Sequence, residues 1–491
     1  MLQPTVRARR PVRLALAVLA AAAGPAAAQT SHATGKIAIS TTSEAARADF
    51  VKGRRLAENL RLEDSRAFFR QAIAKDPGFA LAHLSLANSS PTGTEFFEHL
   101  GHAVKLADKA STGEQLVIRG AKAGANADPA GQLELYRKLV ADYPKDERAH
   151  FLLGNTYFGQ QEYEKAISEY RQATEIAPDF APAYNIVGYA QRTLGRYGDA
   201  EQSFKKYIRL IPDDPNPYDS YAELLMKMGR FDESIAMYRK ALQTDPNFSN
   251  SHFGIASNLM YQGKHYAARA ESRRLHEAAR NDGDRRLALF SSAVTYADEG
   301  KFDLAVKQLR EEYAVAEKIN DAAAMSADLT AIGDVLLEAG KPKEAQQQYA
   351  RALELQEKSD LSSEVKENAR LVQHFHLGRV AAAAGDYAAA GEHAAKFLQG
   401  AQTKKNDIQI RQAHDLAGSI ALGQKEFARA VNELSQGNQQ DPYTLYRLAL
   451  AYQGKGDQAK ASKLFEQAAD QNTLPTLNYA FVRLKAKKMK A

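Results

Sequence analysis

Apolar residues recur along most of the chain at spacings of three and four, which places them on one face of an α-helix. Two such faces follow each other within residues 147–180. The first face consists of His150, Leu153, Gly154 and Tyr157. The second consists of Ala166, Tyr170 and Ala173. Because Pro178 lacks the amide hydrogen that a continuing helix needs, this pattern predicts two packed helices that end near that proline.

The predicted helix pair repeats with a period of 34 residues. The prolines that mark the period are Pro144, Pro178, Pro212 and Pro246. Small residues recur at the eighth position of each unit, at Gly154, Gly188, Ala222 and Ala256. They recur again at the twentieth position, at Ala166, Ala200, Ser234 and Ala268. Aromatic residues keep the same period, at Tyr136, Tyr170, Phe204 and Tyr238. A 34-residue period is that of one helix–turn–helix unit.

These small, aromatic and proline positions resemble the pattern of the tetratricopeptide repeat (TPR) family. The resemblance covers most of residues 46–475. It implies an all-α fold, a right-handed superhelical solenoid of about ten to eleven helix–turn–helix repeats with a C-terminal capping helix. Such repeats host many functions, so the resemblance implies a fold and a binding mode rather than one biological role.

The regularity of the repeats divides the chain into segments. We expect the N-terminal half of the solenoid in residues 46–282, with regular 34-residue units in residues 113–248. The C-terminal half, residues 283–475, has turn glycines spaced 40 and 45 residues apart, which predicts longer repeats. Residues 29–45 are expected to form a flexible linker, and residues 476–491 a basic capping helix.

Residues 1–28 have the pattern of a secretory signal peptide. The cationic end holds Arg7, Arg9, Arg10 and Arg13 with no acidic residue. An apolar run over residues 14–23 and small residues ending at Ala28 follow. The run is about half of the roughly 20 residues that cross a bilayer as a helix. We therefore expect cleavage after Ala28, no transmembrane segment after cleavage, and a periplasmic or secreted protein.

Charge and cysteine content narrow the possible functions. The formal net charge is +6, but four arginines lie in residues 1–28 and five cationic residues in residues 481–491. The rest of the chain has no basic excess, which argues against a nucleic-acid partner. The basic tail could make a weak contact with an anionic surface.

The chain has no cysteine, so disulfides, thiolate metal sites and a cysteine nucleophile are excluded.

The resemblance implies a concave stripe formed by the second, fifth, ninth and twelfth positions of each unit. In three consecutive units the stripe holds Arg148, Phe151, Asn155, Phe158, Asn185, Tyr189, Arg192, Asn216, Asp219, Glu223 and Met226. Aromatic anchors beside amides suit an extended or helical peptide ligand. We therefore expect a groove that binds a partner protein or peptide of the cell envelope. The alternative is that neighbouring turns of the superhelix cover some of these side chains.

Two settings for such a scaffold remain open, a general scaffold of envelope complexes and an accessory subunit of envelope polysaccharide export.

An alternative of a different class is a metal-dependent enzyme. Glu95, His99 and His102 fall at intervals of four and three, which could present three ligands on one side of a helix. The order His-Glu-x-x-His of a catalytic zinc helix is absent, so we expect neither catalysis nor a cofactor.

Overall fold

The computed structural model describes residues 35–490, so the predicted signal peptide lies outside the described residues. These residues contain helices and no β-strands. They divide into two compact units. The first unit comprises residues 35–224 and 236–248, and the second comprises residues 225–235 and 249–490.

Helices of the first unit follow one another with short connections. They are α1 (Glu44–Glu58), α2 (Leu62–Lys75), α3 (Ala80–Ser89), α4 (Gly93–Leu106), α5 (Thr112–Ala125), α6 (Pro129–Asp142), α7 (Glu147–Gly159), α8 (Tyr163–Ile176), α9 (Ala181–Thr193) and α10 (Tyr197–Leu210). Residues of α11 (Pro215–Lys227) and α12 (Phe231–Thr244) are divided between the two units.

Helices of the second unit are longer in its central part. They are α13 (Ser249–Tyr261), α14 (His265–Glu277), α15 (Asp282–Asp298), α16 (Phe302–Lys318), α17 (Ala322–Glu338), α18 (Pro342–Lys358), α19 (Ser363–Ala383), α20 (Tyr387–Thr403), α21 (Asp407–Gly423), α22 (Phe427–Gln436), α23 (Pro442–Gly454), α24 (Gln458–Ala469) and α25 (Leu477–Lys490). Helices α7 to α14 have 13 or 14 residues, whereas α15 to α18 have 17 and α19 has 21.

Within each unit, consecutive helices pack as pairs, from α1 with α2 to α9 with α10 in the first unit and from α13 with α14 to α23 with α24 in the second. The described residues are thus all-α and consist of TPR-like helix pairs, and α25 follows the last pair. Eleven such pairs lie within the two units of the described residues, five in the first and six in the second, which is within the sequence estimate of ten to eleven repeats. The degenerate segment around Ser89 also forms a pair, α3 with α4.

The recurring small residues allow the close approach of the two helices in a pair. A Cβ atom on Gly154 of α7 would lie 2.6 Å from Tyr170 Cε1 of α8. A Cβ on Gly188 of α9 would lie 2.8 Å from Phe204 Cε1 of α10. Real Cβ atoms do not approach ring carbons so closely. The aromatic ring can therefore pack in this place only because the eighth residue of the unit is small.

The predicted linker of residues 29–45 is wrong from residue 36 onward. Residues 36–41 lie extended against the first unit, with Ile37 0% and Ile39 3% exposed. Helix α1 begins at Glu44, where the Ser43 side chain accepts a hydrogen bond from the backbone N–H of Ala46. This segment is therefore part of the packed structure.

The C-terminal helix covers more than the last repeat. Within the second unit, α25 packs on α15, α17, α23 and α24. Its buried face includes Tyr479, Phe481, Val482 and Ala486.

In the described part of the chain, no helix combines the length with the apolar character that crossing a membrane requires.

Candidate peptide-binding face

The predicted groove residues lie on α7, α9 and α11, and most of them are buried. The buried members are Phe151, Asn185, Tyr189, Asn216, Asp219, Glu223 and Met226. The half-buried members are Arg148, Asn155, Phe158 and Arg192, and we call these four residues the α7–α9 face. Met226 belongs to the second unit, whereas the other ten residues belong to the first. A partner must reach the atoms that it binds, so the α7–α9 face is the accessible part of the predicted groove.

Phe151 packs into the core of its repeat. Its ring centroid lies 5.6 Å from that of Tyr170 and 5.3 Å from that of Phe180, and the side chain is 1% exposed. The ring is enclosed by its own repeat and the beginning of the next one. Phe151 is therefore a core residue that supports the α7–α9 face and does not lie on its surface.

Arg192 is held in place by two buried side chains. Its Nη1 donates to Glu223 Oε2 at 3.0 Å, and its guanidinium carbon lies 4.6 Å from the centre of the Tyr189 ring. The Tyr189 hydroxyl donates to the other carboxylate oxygen at 2.8 Å. Burial and the neighbouring Glu223 charge raise the pKa of Tyr189 well above its ordinary value, so the phenol keeps its proton. The stripe thus presents a cation in one fixed orientation.

Amide side chains of the stripe are only partly satisfied. Asn155 Oδ1 accepts a hydrogen bond of 2.9 Å from the Tyr170 hydroxyl, but its Nδ2 has no partner among the described residues. The Oδ1 atom of Asn185 also has no partner there. In contrast, Asn216 Nδ2 donates to the Tyr207 hydroxyl at 2.7 Å. The first two amides therefore offer one donor group and one acceptor.

Arg148 links the α7–α9 face to α1. Its guanidinium donates to Glu58 Oε1 at 2.8 Å and also to the adjacent Glu147. The guanidinium carbon lies 5.2 Å from the centre of the Phe180 ring. Most of its charge is thereby balanced by the protein itself.

A second site, which the sequence analysis missed, surrounds residues 36–41. We call these residues the N-terminal segment. Side chains from several elements hold it, and we call this group the cleft. The cleft consists of Arg47, Asp76, Ser111, Glu114 and Asp146. The only signal in the sequence is the alternation of Ile37, Ile39 and Thr41, which is typical of an extended segment with one buried face.

Backbone groups of the N-terminal segment bond mainly to side chains of the cleft. The N–H of Ile37 donates to Asp146 Oδ2 at 3.1 Å, and the N–H of Ser40 donates to Glu114 Oε1 at 2.9 Å. The Ser111 hydroxyl donates to the carbonyl of residue 38 at 3.0 Å. Arg47 donates to the carbonyl of residue 41 at 2.6 Å and to that of residue 39 at 3.3 Å.

The predicted alternative metal site is wrong. The Glu95 carboxylate accepts hydrogen bonds of 2.7 Å from Arg66 and from Arg70, and these two guanidinium groups hold its pKa below the ordinary value in spite of burial. In the part of the chain that the structure describes, no group of three histidine, cysteine, aspartate or glutamate residues is placed to hold a metal ion. Glu95, His99 and His102 therefore do not form a ligand set.

His99 and His102 pack against His83 of the preceding helix instead. The Nδ1 atoms of His83 and His99 are 3.3 Å apart, and the rings of His83 and His102 are stacked with centroids at 5.1 Å. Burial, followed by the charges of the other two histidines, lowers the pKa of His83 to about 4. His83 is therefore a neutral imidazole at neutral pH.

The basic C-terminal helix has fewer available cations than the sequence suggests. Arg483 is buried in an ion pair with Asp298, and Lys485 pairs with Glu338. Lys488 is exposed. The predicted contact with an anionic surface depended on the cations of this helix, and two of them, Arg483 and Lys485, are paired with carboxylates of the protein.

Family models match the chain in several places. Models described as tetratricopeptide repeat match residues 284–358, 330–405, 181–214, 216–248 and 442–472, and one described as TPR repeat matches residues 154–195. Together these matches cover about half of the chain. No curated protein matches its sequence.

Several solved structures of repeat proteins are similar to parts of the chain. YrrB, described as a TPR protein with an unusual peptide-binding site, is 19% identical over 37% of this chain and 91% of its own, with a TM-score of 0.25. A tetratricopeptide repeat protein from Parabacteroides merdae is 15% identical over 58% and 99%, with a TM-score of 0.36. TTC0263, a thermophilic TPR protein in Thermus thermophilus, is 24% identical over 44% and 100%, with a TM-score of 0.29. These similarities do not identify a partner for this chain.

Proposed function

The chain belongs to the tetratricopeptide repeat family of interaction scaffolds, and we propose that it binds a partner protein through a peptide segment that lies on the α7–α9 face. The partner contacts the exposed parts of Arg148, Asn155, Phe158 and Arg192. The buried residues of the stripe hold these four in position, and the proposal assigns no catalytic step to the chain.

The unsatisfied amide of Asn155 on the α7–α9 face carries the proposal. A buried polar atom without a hydrogen-bond partner destabilises the folded protein, so such atoms usually belong to a binding site or contact water. A peptide group has one N–H donor and one carbonyl acceptor. A rotation of the half-buried Asn155 side chain would bring its amide nitrogen to the carbonyl of a bound backbone, whereas the buried Asn185 helps to hold the face in position.

Arg192 adds a reason for binding at this place. Glu223 and Tyr189 already fix its side chain, so little conformational entropy is lost when a partner contacts it. Arginine and aromatic residues are also the side chains that most often dominate the binding energy of interfaces.

Site-specific photocrosslinking tests the proposal. A photoreactive phenylalanine analogue replaces Phe158 on the α7–α9 face or, as a control, Gln172, which is exposed on α8. We expect irradiation of cells to yield one discrete adduct from position 158 and none from position 172. Arg192→Gln should weaken that adduct without changing the helical content, because glutamine keeps an N–H donor for Glu223 but removes the charge.

The same adducts from both positions, or an adduct at position 158 that Arg192→Gln leaves at full yield, would contradict the proposed face. Identification of the crosslinked protein by mass spectrometry would also separate the general scaffold from the role in polysaccharide export, which stays a prediction.

We also propose that the protein is exported, on the basis of the signal-peptide pattern in residues 1–28. Mass spectrometry of protein recovered from the periplasm or medium should find Gln29 as the first residue. A chain that retains Met1 would contradict this proposal.

A further inference from the structure

We propose that the cleft is a binding site for an extended peptide, which the chain fills with its own N-terminal segment and which a partner's segment of the same chemistry fills when the N-terminal segment is released. This site lies beyond the α7–α9 face and does not depend on the function proposed for that face.

The cleft recognises the N-terminal segment as a peptide. Each residue from Ile37 to Thr41 has a backbone group that bonds to a side chain of the cleft. These side chains come from separate elements of the fold. In a β-sheet the partners would be backbone groups of a neighbouring strand, and here they are an arginine, a serine and two carboxylates. Side chains thus present backbone-binding groups to an extended chain, as in peptide-binding grooves.

Side-chain pockets define which peptide fits. The Ile37 side chain occupies the space that Gly113 leaves open, since a Cβ on this glycine would lie 2.5 Å from Ile37 Cγ2. Ile39 is buried on the same side of the segment. Lys36, which precedes them, pairs with Glu147. The ligand is therefore a cationic residue followed by β-branched apolar residues at the next position and two places further on.

Two hydroxyl groups of the N-terminal segment also bond to the cleft. The Ser40 hydroxyl bonds to the Glu114 carboxylate, and the Thr41 hydroxyl donates to Asp76 Oδ2 at 2.5 Å. A peptide that ends in two hydroxyl residues would reproduce both contacts.

The cleft needs an occupant because its carboxylates are buried. Burial raises the pKa of Glu114 and of Asp146, and the donors of the N-terminal segment act in the opposite direction. If the segment leaves, Glu114 loses the N–H and hydroxyl of Ser40, and Asp146 loses the N–H of Ile37. Glu114 Oε2 keeps its bonds from Ser111, and Asp146 Oδ1 keeps the N–H groups of Arg148 and Ala149. Glu114 Oε1 and Asp146 Oδ2 lose the backbone donors of the segment, so another peptide that supplies two N–H groups would restore both bonds.

The place of the segment in the chain permits its release. Only Thr42 and Ser43 separate it from α1, so it can leave without the unfolding of a helix. Ordering an extended segment costs conformational entropy, which offsets part of the free energy gained from the two buried isoleucines. A partner's segment can therefore compete with it.

A peptide added in trans tests the proposal. In the mature chain, Ile37→Asp and Ile39→Asp together should expel the N-terminal segment, because each places a charge in an apolar pocket. The probe is a fluorescent, N-acetylated and C-amidated peptide Gly-Lys-Ile-Ala-Ile-Ser-Thr-Thr, the sequence of residues 35–42. We expect it to bind the double variant with one-to-one stoichiometry and the unaltered chain at least about tenfold more weakly, because the segment competes in cis.

Two controls locate the binding. A peptide with both isoleucines replaced by aspartate should not bind. Gly113→Val in the double variant should also abolish binding, because its side chain fills the isoleucine pocket. A chain that begins at Thr42 provides a second empty cleft if the double variant does not fold.

Absence of peptide binding to a folded chain with an empty cleft would overturn the proposal. Equal binding to the empty and the unaltered chain would also overturn it, since the segment would then not occupy the site. Crosslinking at position 158 reports on the α7–α9 face alone, so failure there and failure here are distinguishable.

Discussion

Arg483 and Asp298 form a buried ion pair within the second unit, although 185 residues separate them in the chain. Arg483 Nε donates to Asp298 Oδ1 at 2.6 Å, and the two side chains are 2% and 0% exposed. His265 Nε2 lies 2.8 Å from the same carboxylate, and the Arg483 guanidinium carbon lies 5.5 Å from the centre of the Tyr261 ring. This pair fixes α25 against the end of α15.

Replacing Arg483 with methionine should destabilise the second unit by about 3–5 kcal/mol, because it leaves Asp298 buried without its cation. Urea denaturation followed by circular dichroism measures the effect. The matched control is Lys488→Met on the exposed side of the same helix, where we expect a change within about 0.5 kcal/mol. Equal stability of the two variants would mean that the ion pair does not hold α25.

Gly154→Ala should destabilise the first unit by about 1–3 kcal/mol, because the added Cβ would lie 2.6 Å from the Tyr170 ring. The ring must then move and loosen its hydrogen bond to Asn155. Thermal melting compares this variant with Gly198→Ala, since a Cβ on Gly198 meets no atom within 4 Å. A loss of stability in the control as large as that in Gly154→Ala would contradict this packing.

Phe151→Ala should lower the free energy of unfolding by about 3–5 kcal/mol, because Phe151 is a core residue of its repeat. The sequence alone predicted a groove residue whose loss would change binding and spare the fold. Phe158→Ala on the half-buried side of the same helix should affect stability much less, and denaturant titration of both variants checks the difference. If Phe151→Ala were as stable as the parent, Phe151 would be an accessible anchor after all.

The histidine cluster should make the protein less stable in mild acid. The pKa of His83 is lowered to about 4 by burial and by His99 and His102, whereas an unfolded histidine titrates near 6.5. The unfolded chain therefore takes up this proton first, so the contribution is fully present above pH 6.5 and is lost as the pH falls towards 4.

Melting temperatures at about pH 7.5 and about pH 4.5, on either side of the ordinary histidine pKa, test this prediction. In His83→Gln the drop between the two pH values should be smaller than in the parent protein. His276→Gln at an exposed position should leave the drop unchanged. An unchanged drop in His83→Gln would show that the cluster does not contribute to acid sensitivity.

Local residue chemistry was enough to predict the repeats. Gly154 and Tyr170 stand 16 residues apart in the sequence and are both needed for one helix crossing, so their joint recurrence predicts the pair that the structure contains. The predicted binding residues are a different case. Phe151 and Asn155 belong to the same stripe of the same helix, yet one is buried and the other half-buried. Helical periodicity indicates which side of a helix a residue occupies, but burial depends on neighbouring helices.

The sequence by itself thus determined the all-α class, the pairing of helices and the family, because these follow from contacts between residues less than one repeat apart. Only the tertiary structure decided that the N-terminal segment fills the cleft and that α25 joins α15 through Arg483 and Asp298. Those contacts connect residues separated by 109 and 185 positions. Such contacts have no periodic signature, since they depend on how successive repeats stack, and the charge of Arg483 alone suggested an exposed tail.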